Sequence, residues 1–537
     1  MIYSLLPKRL RVHALSLNFM TGLFVIVVLG LFLLCLPTEI TPDGTFYLLG
    51  AKFIHEGQGF AAYNLVSGEI IPQVDYQPLL SLATAWLMSL TGLNEIYSLR
   101  IVNFFSLLGY YLSSYVLVAM IFREKRFQII ANLLVIVSPV SWRYLNTALS
   151  EPLFMAFLGF SMVGCLKAVQ CDKQGERKFW FFVTGMVVLF LCLTRYSGLF
   201  IAGSSVAFFL LARRRGENWK ISPEISLFLL PVVLGMGGWL VRNQWLSGRL
   251  TFLEVFPSRP FFEDFLKVEA DFIRNGIEFI MGFSTYRWAP SGLAFIPTFF
   301  FLSFGTLVAV AFWRMRRRPW ADETPPHFLL LSLLTVTVHL LAFNFFRLKN
   351  GFGETPRYFT VLCPIVFLSV LIVINRLTGD QNHPEGLRRW KSAPVIALTG
   401  FLALSLFFHS VNNLKVVRDI VLSRPSPVRG ASFPAFENSP WVFKLAGAEI
   451  KNHDIVVSNN PTFLSYVWAR PCRITTQVSG QKVLADVQNT SQEAYLVLDK
   501  EIPCFTSKKF DWKKYLGNLK YEVVKEDPFT LAARLIK

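Results

Sequence analysis

Charge is scarce in this 537-residue chain: Asp, Glu, Lys and Arg make up 16% of it, against 53% hydrophobic and 15% aromatic residues. One or two globular cores in water could not hide so much apolar surface, which argues against an ordinary soluble enzyme and against a disordered or fibrous chain. Acidic residues are the scarcer sign, 35 against 53 basic, for a net charge of +18. The Lys and Arg residues fall in short clusters between apolar runs, as in cytoplasmic loops, so no nucleic-acid partner is implied. Cysteine is also sparse, with seven residues and no CxxC pair, and therefore no sign of a zinc or iron-sulfur site. Missing too are GxxxxGK[ST], GxGxxG after a strand, HExxH and GxSxG, so no nucleotide or organic cofactor is indicated. Few ionisable groups lie inside the apolar runs, whereas an ion-coupled transporter would carry carboxylates near the midplane.

What is present is a series of membrane-length apolar runs. Leu17 to Leu36 is long enough to cross roughly 30 Å of hydrocarbon, follows Lys8, Arg9 and Arg11, and lacks a signal-peptide cleavage site. Further runs are Ser98 to Phe122, Phe127 to Trp142, Glu151 to Val169, Phe179 to Thr194, Ser197 to Ala212, Ile225 to Trp245, Leu293 to Trp313, His327 to Phe346, Phe359 to Asn375 and Ala393 to Ser410. Pro78 to Leu90, of about thirteen residues, is too short for a span and suits an interfacial or re-entrant helix. If it did cross, the clusters Arg123 to Arg126, Lys173 to Lys178, Arg213 to Arg215, Arg314 to Arg318 and Arg376 to Lys391 would all face outward, against the positive-inside bias. The expected fold is thus a mainly α polytopic protein of the inner (plasma) membrane with about eleven spans and a cytoplasmic N-terminus.

Residues 1–411 form the transmembrane module in this reading, with a long first outer loop at 37–97. Residues 412–537 differ in kind. Ser439-Pro440 opens a helix to about Asn452, and β-type runs follow at Ile455-Val457, Tyr495-Leu498, Tyr521-Val524 and Thr530-Ile536, which together suggest a small outer (periplasmic or extracellular) α/β domain. Cys472 and Cys504 fall there and pair if the compartment is oxidising; two separate thiols are the other reading.

The most informative segment begins at Thr41-Pro42-Asp43-Gly44, just after the first span. Asp43 either caps an amphipathic helix that Gly57 and Gly59 end, or presents a carboxylate at the membrane surface to a polar acceptor and a lipid-borne substrate. Beyond it lie Gln77-Pro78-Leu79-Leu80 before a helix ending at Gly92, Ser150-Glu151-Pro152, Thr194-Arg195-Tyr196 and Glu354-Thr355-Pro356-Arg357-Tyr358. In order and sidedness these segments resemble the GT-C glycosyltransferases, in particular the protein mannosyltransferase and aminoarabinose transferase families, over about Leu17 to Ile374.

The resemblance implies an inverting transferase that takes a monosaccharide from a polyprenyl-phosphate donor and passes it to a lipid, glycan or protein acceptor. Asp43 is then the catalytic base. Glu151 is a second catalytic carboxylate or an ordinary helix-start acid. Arg357, Tyr358 and Arg195 are candidates for the donor phosphate, with Arg347 and Lys349 as weaker ones; headgroup snorkelling is their plainer role. His55, Asp75 and Glu354 are candidate acceptor or metal contacts. A divalent metal is left open, since no DxD cluster occurs. His339, inside a span, reads as an interhelical hydrogen-bonding group.

The chain departs from the protein mannosyltransferases in carrying Asp-Gly rather than Asp-Glu, and it lacks the tandem Trp of oligosaccharyltransferases. Both departures argue against protein mannosylation and en bloc glycan transfer. A transporter or flippase of a lipid-linked glycan is the alternative, and a non-catalytic assembly factor a third; membrane lipids are partners in every case. The eleven-span reading predicts that alkaline phosphatase fused after Lys537 is active and a green fluorescent protein fused there is dark. A bright cytoplasmic fusion would overturn it.

Overall fold

The computed structural model describes residues 17–34, 38–64, 67, 69–137, 147–212, 223–250, 324–350 and 362–379, and short stretches between 399 and 536. The chain forms two compact units. The first comprises Met1–Cys35, Asn103–Leu145 and Ser150–Ser423, the second Leu36–Val102, Asn146–Leu149 and Arg424–Lys537.

The first unit is helical. It contains α1 (Leu17–Leu34) and, after an excursion into the second unit through β1 (Thr38–Glu39), α2 (Pro42–His55), β2 (Ala61–Tyr63), β3 (Ile70–Pro72) and α3 (Leu79–Thr91), most of α4 (Glu95–Ile121). Then come α5 (Lys125–Val137), α6 (Glu151–Gln170), α7 (Gln174–Thr194), α8 (Gly198–Leu211), α9 (Pro223–Ser247), α10 (Thr324–Asn350) and α11 (Cys363–Gly379). Among the described residues, α4, α6, α7 and α9 are long and apolar enough to cross a membrane. The expected spans at 98–122, 127–142, 151–169, 179–194, 197–212, 225–245, 327–346 and 359–375 coincide with helices α4 to α11. Leu293 to Trp313 and most of Ala393 to Ser410 lie outside the described residues.

Apolar side chains gain little by leaving lipid for protein, so helices in this unit must associate by close packing and polar contacts. Helix α7 packs between α6 and α9. At Gly185 an added Cβ would strike the Phe228 carbonyl oxygen and come within 2.8 Å of Pro231 on α9, which explains glycine in a run otherwise made of large residues. Arg177 Nη2 reaches Glu224 Oε1 at 3.1 Å and ties the first turns of the same two helices. Ser204 of α8 faces the Leu334 carbonyl of α10 at 3.4 Å.

The second unit holds the segment that follows α1. Helices α2 and α3 pack through Ala51, Ala85 and Met88, and Ser81 Oγ donates to the Tyr47 carbonyl at 2.9 Å. Both helices end in left-handed glycines, α2 at Gly57 and Gly59 (each φ 80°) and α3 at Gly92 (φ 70°), whose N–H meets the Met88 carbonyl. The expected short helix at 78–90 is α3, with 13 residues. Its outer face leaves Leu82, Trp86 and Leu90 exposed.

The same unit contains β4 (Val428–Arg429), parallel to β1, and a mixed sheet of β5 (Ile455–Ser458), β6 (Arg473–Ile474), β7 (Ala494–Asp499), β8 (Tyr521–Glu526) and β9 (Thr530–Leu535) in the order β6-β5-β7-β9-β8. Strand β7 is parallel to β5 and antiparallel to β9, and Leu496, Val497 and Leu498 are buried on both its faces, as its unbroken apolar run requires. The four expected strands are all present. Two-residue β6 carries no readable periodicity. Of the expected helix from Ser439, Leu445 is helical and its carbonyl accepts the Ile450 N–H at 3.1 Å; most of the rest lies outside the described residues, as does Cys504.

The close approach at Gly185 predicts that Gly185→Val destabilises the first unit by about 1–3 kcal/mol through overpacking. Thermal unfolding in detergent checks it, and an unchanged Tm would contradict the packing.

Candidate active site

Each unit holds its own polar cluster on a helix start. In the second unit, Thr41 is extended (φ −95°, ψ 166°), and its Oγ1 accepts the Gly44 N–H at 3.0 Å while its carbonyl accepts that of Thr45. Thr41 is therefore the N-cap, Pro42 opens the helix, and Asp43 is the second residue of α2 rather than its cap. With the cap already provided, the Asp43 carboxylate turns to the phenol of Tyr76, which donates to Oδ1 at 2.7 Å. The unpaired N–H groups of the first turn add partial positive charge that favours an anion there.

Tyr76 is held by aromatic neighbours. Its ring stacks on Phe46 at 4.9 Å and 21°, and Tyr47 meets it edge-on at 5.3 Å and 76°. Gly44 has a packing reason: a Cβ there would lie 2.5 Å from the Ala148 carbonyl oxygen, so the Glu that protein mannosyltransferases carry after their Asp could not fit this backbone. Arg100, buried in the same unit, donates from Nε to Thr38 Oγ1 and covers the Tyr97 ring at 5.1 Å. Farther along, Tyr466 donates to Glu95 Oε1 at 3.0 Å; burial first, and the Glu95 charge second, push its hydroxyl well above the ordinary range and keep it a donor.

The remaining candidates of this unit are His55 and Asp75. His55 ends α2, twelve residues and about 18 Å along the axis from Asp43, where its Nδ1 lies 3.0 Å from Ser89 Oγ. Asp75 is exposed, with its N–H on Gln73 Oε1 at 3.0 Å. Among the described residues no three His, Cys, Asp or Glu side chains converge as a metal site would need.

In the first unit Glu151 opens α6. Ser150 occupies the cap position but with helical angles (φ −85°, ψ −4°), and its side chain does not cap. It faces Arg195, whose Nη1 donates to Ser150 Oγ at 3.1 Å and to Glu151 Oε1 at 2.7 Å. The pair is buried, with the carboxylate 1% and the guanidinium 14% exposed. Arg195 can reach inward because α7 ends at Thr194 and the backbone becomes extended (φ −154°, ψ 143°). Beside it, Trp239 Nε1 donates to the Tyr196 hydroxyl at 3.4 Å and Arg242 lies 4.7 Å from the Trp239 ring centroid.

Tyr76, Arg100, Trp239 and Arg242 were not legible as site residues in the sequence. Only the Trp-x-x-Arg spacing on α9 gave a signal, since i and i+3 share a helix face. His339 is buried on α10, edge-on to Phe200 at 6.1 Å, as a packed interhelical group would be. Glu354, Arg357 and Tyr358 lie outside the described residues, as do the side chains of Arg347 and Lys349.

No family model and no curated protein matches the sequence. Solved structures do match. ArnT from Cupriavidus metallidurans bound to undecaprenyl phosphate is 14% identical, with 96% of this chain and 97% of that one covered and a TM-score of 0.57; its apo state gives 0.56 over the same shares. The oligosaccharyltransferase AglB from Archaeoglobus fulgidus, in complex with an inhibitory peptide and a dolichol-phosphate, is 12% identical over 91% of this chain and 70% of that one, at a TM-score of 0.50. The chain therefore shares its fold with ArnT and AglB, and with its apolar helices it is a membrane protein.

Removing one partner of a buried ion pair leaves the other charge uncompensated. Arg195→Met is thus expected to cost about 3–5 kcal/mol, and the double variant with Glu151→Gln to recover part of it. Melting temperatures in detergent decide this; additive losses would mean the pair does not act as one.

Proposed function

We propose that this chain is an inverting membrane glycosyltransferase that moves a monosaccharide from a polyprenyl-phosphate donor to a lipid, glycan or protein acceptor, with Asp43 as general base. An acceptor hydroxyl or amine is a weak nucleophile until its proton is accepted. As its lone pair forms the bond to the anomeric carbon, the bond from that carbon to the phosphate oxygen breaks. The proton passes to Asp43 and polyprenyl phosphate departs. A lipid-borne donor fits a chain with no nucleotide-binding motif.

The observation that carries this reading is the Asp43 carboxylate on the first turn of α2, half buried and accepting from the Tyr76 hydroxyl, within a fold shared with a structure that holds undecaprenyl phosphate. The buried Glu151 and Arg195 pair supports a second role at the outer helix ends, where Arg195, with Arg357 and Tyr358, takes the charge of the leaving phosphate as Glu151 orients the guanidinium. Helix α3, with Leu82, Trp86 and Leu90 exposed, suits the lipid interface. In this reading about eleven spans carry the N-terminus on the cytoplasmic side and residues 412–537 on the outer one.

Asp43→Asn keeps the shape of the side chain and removes its basicity. It should insert at the parental level and lose transfer by about 10²-fold or more in membranes supplied with lipid-linked donor. Ordinary turnover by that variant would end the assignment of the base.

A further inference from the structure

A hydrogen bond left unmade inside a protein weakens the fold, so a buried donor without a partner calls for an explanation beyond packing. Gln77 carries such a donor. Its side chain is buried (4% exposed), and its Nε2 has no hydrogen-bond partner. It directly precedes Pro78, the N-cap of α3, where an amide could serve the helix start, yet no side chain caps α3. The residue before it is Tyr76, whose hydroxyl donates to Asp43 Oδ1, so the Cα of Gln77 lies about 3.8 Å from that of the residue bonded to the base. In the first turn of α3, Leu80 and Ser81 are fully buried and Ser81 Oγ donates to the Tyr47 carbonyl, which pins this end of α3 to the helix that carries Asp43.

We propose that Gln77 is a specificity-determining residue for the sugar of the donor, its amide reading a hydroxyl of the transferred monosaccharide. This rests on the reading of Asp43 as the base. A base must reach the nucleophile that attacks the anomeric carbon, which puts the sugar ring beside Asp43 and the segment bonded to it. A carboxamide offers one donor group and one acceptor, the same pair of functions that a hydroxyl presents. Phosphate is gripped more strongly by guanidinium or ammonium groups through charge-assisted bonds, so an uncharged amide suits the uncharged part of the donor. A sugar lacking that hydroxyl would leave the amide buried and unmatched, and the site would reject it.

Gln77→Met keeps the length of the side chain and removes its polarity. Without ligand the change relieves an unmatched donor, so the thermal midpoint of the purified full-length protein in lipid nanodiscs should hold or rise. The probes are farnesyl phosphate and farnesyl phosphate bearing glucose, galactose, mannose, N-acetylglucosamine or arabinose, with binding followed by native mass spectrometry. Farnesyl phosphate should bind parent and variant alike. The sugar-bearing lipid that the parent prefers should bind Gln77→Met about tenfold more weakly. One monodeoxy analogue of it should show the same loss on the parent and no further loss on the variant. Gln77→Leu carries the same expectations should the Met variant not fold.

Equal affinity of parent and variant for the preferred lipid would overturn the role of Gln77. Equal weakening of farnesyl phosphate would do so too, by assigning the amide to the phosphate, as would a parent that binds no sugar-bearing lipid more tightly than farnesyl phosphate. Retained transfer by Asp43→Asn would instead remove the base and leave the binding result standing, so the two failures are told apart.

Discussion

Every ionised group near hydrocarbon must be matched, because water is not there to solvate it and an unmatched charge costs several kcal/mol. This constraint organises the polar chemistry of the chain. Glu151 is buried against Arg195 and Ser150, and Glu224 is buried against Arg177. Both carboxylates sit in the first turns of long apolar helices, where the helix dipole favours them as well. Asp43 accepts a hydrogen bond from the Tyr76 phenol and stays half exposed.

The start of α2 shows how a few local preferences release a side chain for chemistry. Thr41 accepts the first-turn N–H, Pro42 needs no donor of its own, and Gly44 allows the Ala148 backbone to approach. Each residue meets a demand of helix initiation or packing that Asp43 would otherwise share. The same economy appears at α6, where Pro152 and the acid satisfy the helix start and leave Ser150 to face Arg195.

Much of this architecture was legible because membrane spans are written locally. A helix in lipid must satisfy its backbone within itself and show apolar side chains all round, so the helices from α4 to α11 follow directly from runs of apolar residues. The short α3 was legible for the converse reason, being too short to cross. Strands β5, β7, β8 and β9 were visible as β-branched or alternating runs. Strand β6 was not, since two residues have no period. Asp43, Glu151 and Arg195 stood out because polar residues at the ends of apolar runs are conspicuous. Tyr76 did not, since a tyrosine in an aromatic-rich loop has an ordinary explanation in packing.

The sequence by itself determined that the chain is a membrane protein, roughly where the helices α4 to α11 lie, and which carboxylates follow the first and third apolar runs, because hydrophobic length and helix-start chemistry depend on neighbouring residues alone. Only the tertiary structure decided which donor each carboxylate has: Tyr76 for Asp43 across 33 residues, and Arg195 for Glu151 across 44. Such pairings arise from helix packing, at α2 on α3 and at α6 on α7, and no local pattern encodes them. They set whether a carboxylate can take up a proton, which is the property on which the proposed reaction turns.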